Sequence, residues 1–305
     1  MIPGWDELAP RLPVARGVGG RAVRAVSMPV EIGDAELWLS ISGVGFDEGT
    51  VFAFRDLTEE RALEQMRSDF VATVSHELRT PLAAIYGAAL TIRRPQLEVD
   101  DEMRVHLLAV IAEEAERLAK TVDDLLLASH LDSGRLQSAI GACDARELVE
   151  SVIDARETHR PENVEIVFEA HDDVPLVRAD PDQLRQVISN LLDNAIKYSP
   201  AGGSVLLRLE RNDSAVRMVV RDNGLGIPQK EQRRIFEKFY RLDPNMTRGV
   251  GGTGLGLYIV RELVQRFEGK VWVESEEGEG STFYVELPAA KTGQQLPRQE
   301  ESAVA

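Results

Sequence analysis

The sequence predicts an α+β chain of several domains. These are a small antiparallel sheet, an amphipathic helical hairpin and an α/β sandwich with helices on one face of a sheet. Three observations carry this. Over the first 57 residues, strand-like runs alternate with turn clusters; from 58 to 133, apolar residues recur at spacings of three and four; from 144 to 288, helical and strand-like runs interleave. A length of 305 residues suffices for two or three such units. Fifty-one acidic against 35 basic residues give a net charge of −16. That balance argues against non-specific binding to nucleic acid or an anionic membrane, both of which need clustered Lys and Arg. The single cysteine, Cys143, excludes an internal disulfide framework. No window approaches the roughly 18 apolar residues of a membrane span, and no signal-peptide pattern opens the chain. The expectation is a soluble, cytoplasmic protein, with membrane attachment only if the chain continues upstream.

In chain order, residues 1 to 20 are rich in Pro and Gly and read as irregular. Runs over Arg21–Ile32, Glu36–Ser42 and Thr50–Phe54 are split by Gly33-Asp34 and by Asp47-Glu48-Gly49, the pattern of a three-stranded meander. Asp56 or Thr58 then caps a helix with acids in its first turn. Its apolar residues Leu63, Met66, Phe70, Val74, Leu78, Ile85 and Ala89 continue to about Arg94, where Pro95 stops it. Residues 98 to 101 cap a second helix carrying Met103, Leu107, Ile111, Leu118, Val122 and Leu125. One hairpin cannot cover its own stripe. Two of them in a homodimeric four-helix bundle can; the alternative is packing on the chain's own downstream domain. Asp132-Ser133-Gly134 closes the hairpin, and Asp144 with Glu147 reads as a capping box. Strands near 164–169, 204–210, 215–222, 270–275 and 281–287 follow, with helices at 181–198 and 254–268. The tail from about Ala289 is polar and expected to be disordered.

Five segments carry chemistry. In Ser75-His76-Glu77-Leu78-Arg79-Thr80-Pro81-Leu82, His76 lies roughly 200° around the helix from the stripe residues Val74 and Leu78, so its imidazole faces out beside a carboxylate. Pro81 removes a backbone donor one turn later and weakens the helix there. Asn190, Asn194 and Lys197 share one helical face, a set suited to a hydrated magnesium ion and phosphates. Asp222-Asn223-Gly224-Leu225-Gly226-Ile227-Pro228 leaves a strand through a tight turn, with an acceptor for an exocyclic amine. Gly249 to Leu257 opens a helix whose free N–H groups suit phosphates; it is neither a Walker loop nor a Rossmann turn. Gly278-Glu279-Gly280-Ser281-Thr282-Phe283 adds a glycine turn, and Ile235 to Tyr240 supplies aromatics before a lid-like loop at 241–253. Singly, each also fits a bland reading: a solvated histidine, a polar helix face, an ordinary turn.

Together they do not. The octapeptide at His76 resembles the phosphoacceptor box of sensor histidine kinases. The downstream segments, in this order, resemble the N box, first glycine box, F box, second glycine box and third glycine turn of the GHKL ATPase fold. The resemblance spans about residues 60 to 288, and the first sheet, feeding directly into a helix, resembles the C-terminal half of a PAS sensor. It implies a partial PAS-like remnant at 1–57, a dimerisation and phosphotransfer hairpin at 58–133, an ATP-binding domain at 144–288 and a tail at 289–305. It also implies ATP and Mg²⁺ as cofactors, with Asn194 as the metal ligand. Asp222 would read adenine and Lys197 would meet phosphate. Asn190, Tyr198, Gly224, Gly226, Phe236, Gly252, Thr253, Gly254, Leu255, Gly256 and Thr282 would complete the nucleotide site. His76 would accept the phosphoryl group with Glu77 as general base, and pass it to the receiver domain of a response regulator. Thr80 would orient water for dephosphorylating that regulator. Other GHKL proteins hydrolyse ATP without a phosphohistidine; the box at His76 argues against that reading. A nucleotide-binding scaffold that transfers nothing is a second rival, and it is expected to have lost His76, Asn194 or glycines, none of which is missing; a net phosphatase is the third, and Thr80 keeps it open.

Overall fold

The computed structural model describes residues 5, 9–16, 25–32, 35–47, 49–94, 100–157, 160–242 and 252–290. The chain divides into two units, Met1–Val71 and Ala72–Ala305, with the division inside the first long helix.

In the first unit, β2 (Val26–Ile32), β3 (Ala35–Phe46) and β4 (Gly49–Asp56) pair antiparallel in the expected order. The segment read as irregular holds two elements. A 3₁₀ turn (Ala9–Arg11) leads into β1 (Val14–Arg16), which pairs parallel with residues 43–45 of β3. Three residues of β1 give too short a pattern for periodicity to register. Leu12, Val30, Leu39 and Ile41 form the core of this sheet, with Trp5 edge-on to Phe52. The Gly33-Asp34 turn lies outside the described residues. Helix α1 (Thr58–Arg93) starts where Asp56 Oδ1 accepts the Thr58 amide and hydroxyl, at 2.9 and 2.6 Å.

The helix runs through Pro81 without a break. The expected weakening costs one hydrogen bond in 36 residues, and the buried proline ring and a Thr80 hydroxyl on the His76 carbonyl (3.1 Å) stand beside the gap. Pro95 and its turn lie outside the described residues. Helix α2 (Asp101–Asp132) is capped by Asp100, whose carboxylate accepts the Met103 amide at 2.7 Å. None of the thirteen stripe residues of the hairpin is fully buried, and Leu63 and Val122 remain 67% and 41% exposed.

The second unit ends in the predicted α/β sandwich. Helices α3 (Ala145–Glu157), α4 (Pro181–Lys197) and α5 (Gly256–Arg266) accompany a five-stranded sheet. Its order is β10 (Lys270–Glu276), β11 (Gly280–Pro288), β9 (Ala215–Asp222), β8 (Gly203–Asn212) and β6 (Val164–Ala170). All neighbours are antiparallel except β6 and β8. A separate pair, β5 (Gly141–Cys143) with β7 (Val177–Ala179), was not legible because each strand has three residues. Leu184, Ile188 and Leu191 of α4, Ile259 and Leu263 of α5, and Val205, Leu207, Val220 and Val285 of the sheet form a closely buried apolar core. Asp180 caps α4 through the Asp182 and Gln183 amides, with Pro181 at the first helical position. Asp144 caps α3 as expected. The tail does not begin at Ala289. The Ala289 and Ala290 amides donate to Ser214 and Leu176 carbonyls, and residues 291–305 lie outside the described residues.

Candidate nucleotide site

A cavity of about 490 Å³ opens between α4, the start of α5, the loop after β9 and the hairpin, all within the second unit. Its size is that of a small-molecule site. Helix α4 presents Asn190, Asn194 and Lys197 to it, as the i, i+4, i+7 spacing predicts, while Leu191, Leu192 and Ala195 stay in the core. The Asn190 amide reaches the Gly256 carbonyl at 3.4 Å, tying α4 to the glycine segment that opens α5.

Asp222 ends β9 at 3% exposure. Its Oδ1 accepts the backbone amides of Gly224 (2.9 Å) and Ser281 (3.2 Å), which leaves Oδ2 disengaged from that pair. Burial raises its pKa, and the two amides act against that. Leu225, Ile227, Ile235 and Phe283 also line the cavity, so this one acceptor stands among apolar walls. The loop is pinned to neighbouring backbone: the Leu225 amide donates to the Tyr198 carbonyl at 3.0 Å and the Gly278 amide to the Leu225 carbonyl at 2.8 Å. At Gly226 the backbone is left-handed (φ 68°), and a Cβ would overlap the Glu276 carbonyl, so only glycine fits.

Gly252, Thr253, Gly254 and Gly256 line the opposite wall, with Lys197 beside them. Gly252 has φ 147°, and a Cβ there would meet the Lys197 Nζ at 2.5 Å. Lys197 is reachable by water through the cavity mouth yet crowded by protein atoms. That crowding, with Arg241, Arg117 and Lys120 nearby, lowers its ammonium pKa to about 8 against the pull of Glu77. Gly249 and Gly251, and most of the 241–253 loop, lie outside the described residues.

Not every expected residue reaches the cavity. Phe236 is buried behind it, edge-on to Phe283 at 6.4 Å. Leu255 is fully buried in the core, and Gly224 serves the site only through its amide on Asp222. Thr282 points to the other sheet face. Successive strand residues alternate, and Ser281 and Phe283 are the ones lining the cavity. The strand parity of Phe283 was the signal for Ser281. Tyr198 lines the mouth, with the Lys197 ammonium over its ring at 5.4 Å.

The hairpin supplies the remaining wall. The sequence motifs alone do not assign it this role. Glu77 from α1 and Arg117, Lys120, Thr121 and Asp124 from α2 all line the cavity. The four α2 residues recur at i, i+3, i+4 and i+7, a polar face visible in the sequence beside the apolar stripe. Glu77 is 8% exposed; its Oε2 meets the Arg117 guanidinium at 3.3 Å and its Oε1 accepts the Gly252 amide at 3.2 Å. His76 is exposed and is not among the residues lining the cavity. Neighbours on a helix are about 100° apart, so the rotation that brings Glu77 inward turns His76 outward. Asp193, also missed, accepts both Arg156 nitrogens (2.6 and 3.1 Å) and pairs with Lys120. Burial acts to raise its pKa, and these cations outweigh it, so the net shift is downward. Asp124 accepts the Gln186 amide at 2.9 Å, and burial pushes its pKa up to about 6.

An acceptor among apolar walls, a glycine amide that already holds a carboxylate, and a lysine with two asparagines on one face form a set of polar groups that fits an adenine nucleotide. Two family models match the chain. Residues 66–134 match the His Kinase A phospho-acceptor domain, and residues 179–291 match the histidine kinase-, DNA gyrase B- and HSP90-like ATPase. The chain belongs to the sensor histidine kinases of two-component systems. The sensor histidine kinase WalK of Bacillus subtilis is 37% identical over 243 residues, which is 79% of this chain and 40% of WalK. A Staphylococcus aureus WalK is 35% identical over 254 residues, covering 81% of this chain and 60% of that sequence. The chain thus spans about two fifths of the length of the Bacillus relative. Among solved structures, full-length ShkA in complex with AMPPNP superposes with a TM-score of 0.53 at 31% identity, covering 74% of this chain and 46% of ShkA. The Acinetobacter baumannii histidine kinase AdeS shares the fold, with a TM-score of 0.51 at 24% identity over 70% of this chain and 98% of AdeS.

Proposed function

We propose that this histidine kinase moves the γ-phosphoryl group of Mg-ATP onto His76 and then onto an aspartate of a response-regulator receiver domain. One observation carries the reading. The phosphoacceptor segment meets the cavity through Glu77, one residue from an exposed imidazole. Asn194 would hold Mg²⁺, with Asn190 supporting the site, and the ion would neutralise phosphate charge in the transfer. Lys197 and the Gly252–Gly256 segment would hold the phosphates, and Asp222 the adenine amine.

In the first transfer, a ring nitrogen of neutral His76 forms the N–P bond as the γ-phosphorus–oxygen bond breaks and ADP leaves with that electron pair. Glu77, adjacent in the chain, orients or takes the imidazole proton. In the second, the N–P bond breaks as a carboxylate oxygen of the regulator takes the phosphorus. For that chemistry α1 must turn from the arrangement described above, since Glu77 and not His76 faces the cavity. Thr80 is exposed one turn from His76, which favours a second role in dephosphorylating the regulator. The half-covered hairpin stripe supports a homodimer through a four-helix bundle. We place the domains at 1–57, 58–133 and 144–288. Among the described residues no helix is long and apolar enough to cross a membrane, which suits a cytoplasmic location.

The test is incubation with γ-labelled ATP and Mg²⁺. Acid-labile, alkali-stable label on the chain is expected, lost in His76→Gln and in Asn194→Ala. ATP turnover with no labelled protein would sink the phosphohistidine reading in favour of a plain GHKL ATPase.

A further inference from the structure

The Glu77 carboxylate sits inside the cavity among hydrogen-bond donors. It is nearly buried, and a buried carboxylate is costly unless donors compensate it. Two groups do so. The Gly252 amide, part of the glycine segment leading into α5, donates to Oε1, and the Arg117 guanidinium donates to Oε2. The Lys197 ammonium is attracted to the same carboxylate. A backbone amide before a helix start, a guanidinium and an ammonium are the donors that recognise phosphate. Carboxylate and phosphate oxygens accept the same hydrogen bonds, so they compete for them. Arg117 itself is half exposed and stands between two acids. Its other nitrogen lies 3.9 Å from Glu114, one of whose oxygens is buried without a hydrogen-bond partner. This guanidinium can therefore change partners without leaving its wall of the cavity.

We propose that Glu77 and Arg117 form an exchange pair at the phosphate side of the cavity. A nucleotide's terminal phosphate displaces the Glu77 carboxylate from the Gly252 amide and takes over the Arg117 guanidinium. Arg117, on the second hairpin helix, is then a phosphate-binding residue of the transfer site. The displaced Glu77 is free to turn outward with α1, and the same rotation brings His76 in. Phosphate binding and presentation of the imidazole are coupled through one carboxylate. The inference rests on the reading of the cavity as a Mg-ATP site.

The experiment is calorimetric titration of the full chain with Mg-AMPPNP and with Mg-ADP, for wild type, Glu77→Gln, and Glu77→Gln combined with Arg117→Ala. Removing the competing charge should tighten Mg-AMPPNP by about tenfold and Mg-ADP by less. Adding Arg117→Ala to that background should remove most of the gain, again more for Mg-AMPPNP than for Mg-ADP. Both sites tolerate the changes: glutamine keeps the shape of Glu77, and Arg117 is half exposed. A Glu77→Gln chain that binds Mg-AMPPNP no tighter than wild type overturns the exchange. An Arg117→Ala addition that leaves the preference for the triphosphate analogue unmoved overturns it as well. A wild-type chain that binds neither nucleotide overturns the ATP reading itself. Binding by wild type with unmoved ratios overturns only the pair.

Discussion

Asp222 combines deep burial with a free acceptor, and the chain arranges this by spending two backbone amides on a single oxygen. Replacing the carboxylate by an amide turns that free acceptor position into a competition between oxygen and NH₂. Asp222→Asn is therefore expected to weaken adenine nucleotides by roughly 10- to 100-fold, the cost of one unmet buried polar contact, with guanine nucleotides as the control in the same binding assay. Thr282, one residue from the cavity wall but on the other sheet face, should behave differently: Thr282→Ala is expected to leave nucleotide affinity within about twofold. Lys197 links affinity to pH. Its ammonium, lowered to about 8 chiefly by the protein atoms that crowd it, is charged at pH 7 and loses its proton as pH rises past that value. Mg-nucleotide affinity should fall several-fold between pH 7 and 9, and Lys197→Arg should flatten the profile, because a guanidinium stays charged.

At the scale of elements, the polar face of α2 decides how the hairpin meets α4. Lys120 reaches Asp193, and Asp124 reaches Gln186. Further along, Asp132 accepts the Tyr258 hydroxyl of α5 at 2.5 Å and pairs with Lys238. These ion pairs are only partly exposed, and partly screened pairs of this kind are weak and exchangeable, which suits the proposed turn of α1. Asp124 is the member with a pH signature. Its pKa is raised above that of the unfolded chain, so its favourable contribution is complete below about pH 4 and lost as pH rises through about 6. Asp124→Asn is expected to stabilise the unit by on the order of 1 to 2 kcal/mol at pH 8 and by little at pH 4. Thermal unfolding at the two pH values checks this, and equal shifts at both would refute it. The helices themselves were legible to within a few residues, since Asp100, Asp144 and Asp180 stand where caps are needed. The three-residue strands β1, β5 and β7 were not, because they exist only through their partners.

For the whole molecule, the hairpin leaves apolar surface that a second hairpin would cover. Leu107 and Ile111 are only half-buried, and Leu108 and Leu126 are more than half exposed. Sedimentation should return twice the 33.7 kDa chain mass, and Leu107→Glu should shift it towards the monomer. A monomeric wild type would refute the bundle.

The fold class and the order of the longer helices and strands were determined by the sequence alone, as were the shared face of Asn190, Asn194 and Lys197 and the outward position of His76. Each of these follows from a local period, read within one helix or strand. Only the tertiary structure decided that Glu77 faces the glycine loop, that Arg117 and Asp124 enter the same cavity, and that Ser281 rather than Thr282 lines it. These depend on which faces of distant elements meet. Gly252 lies 175 residues from Glu77 along the chain. A periodic pattern states that an element has a face; the packing of the folded chain selects what that face touches.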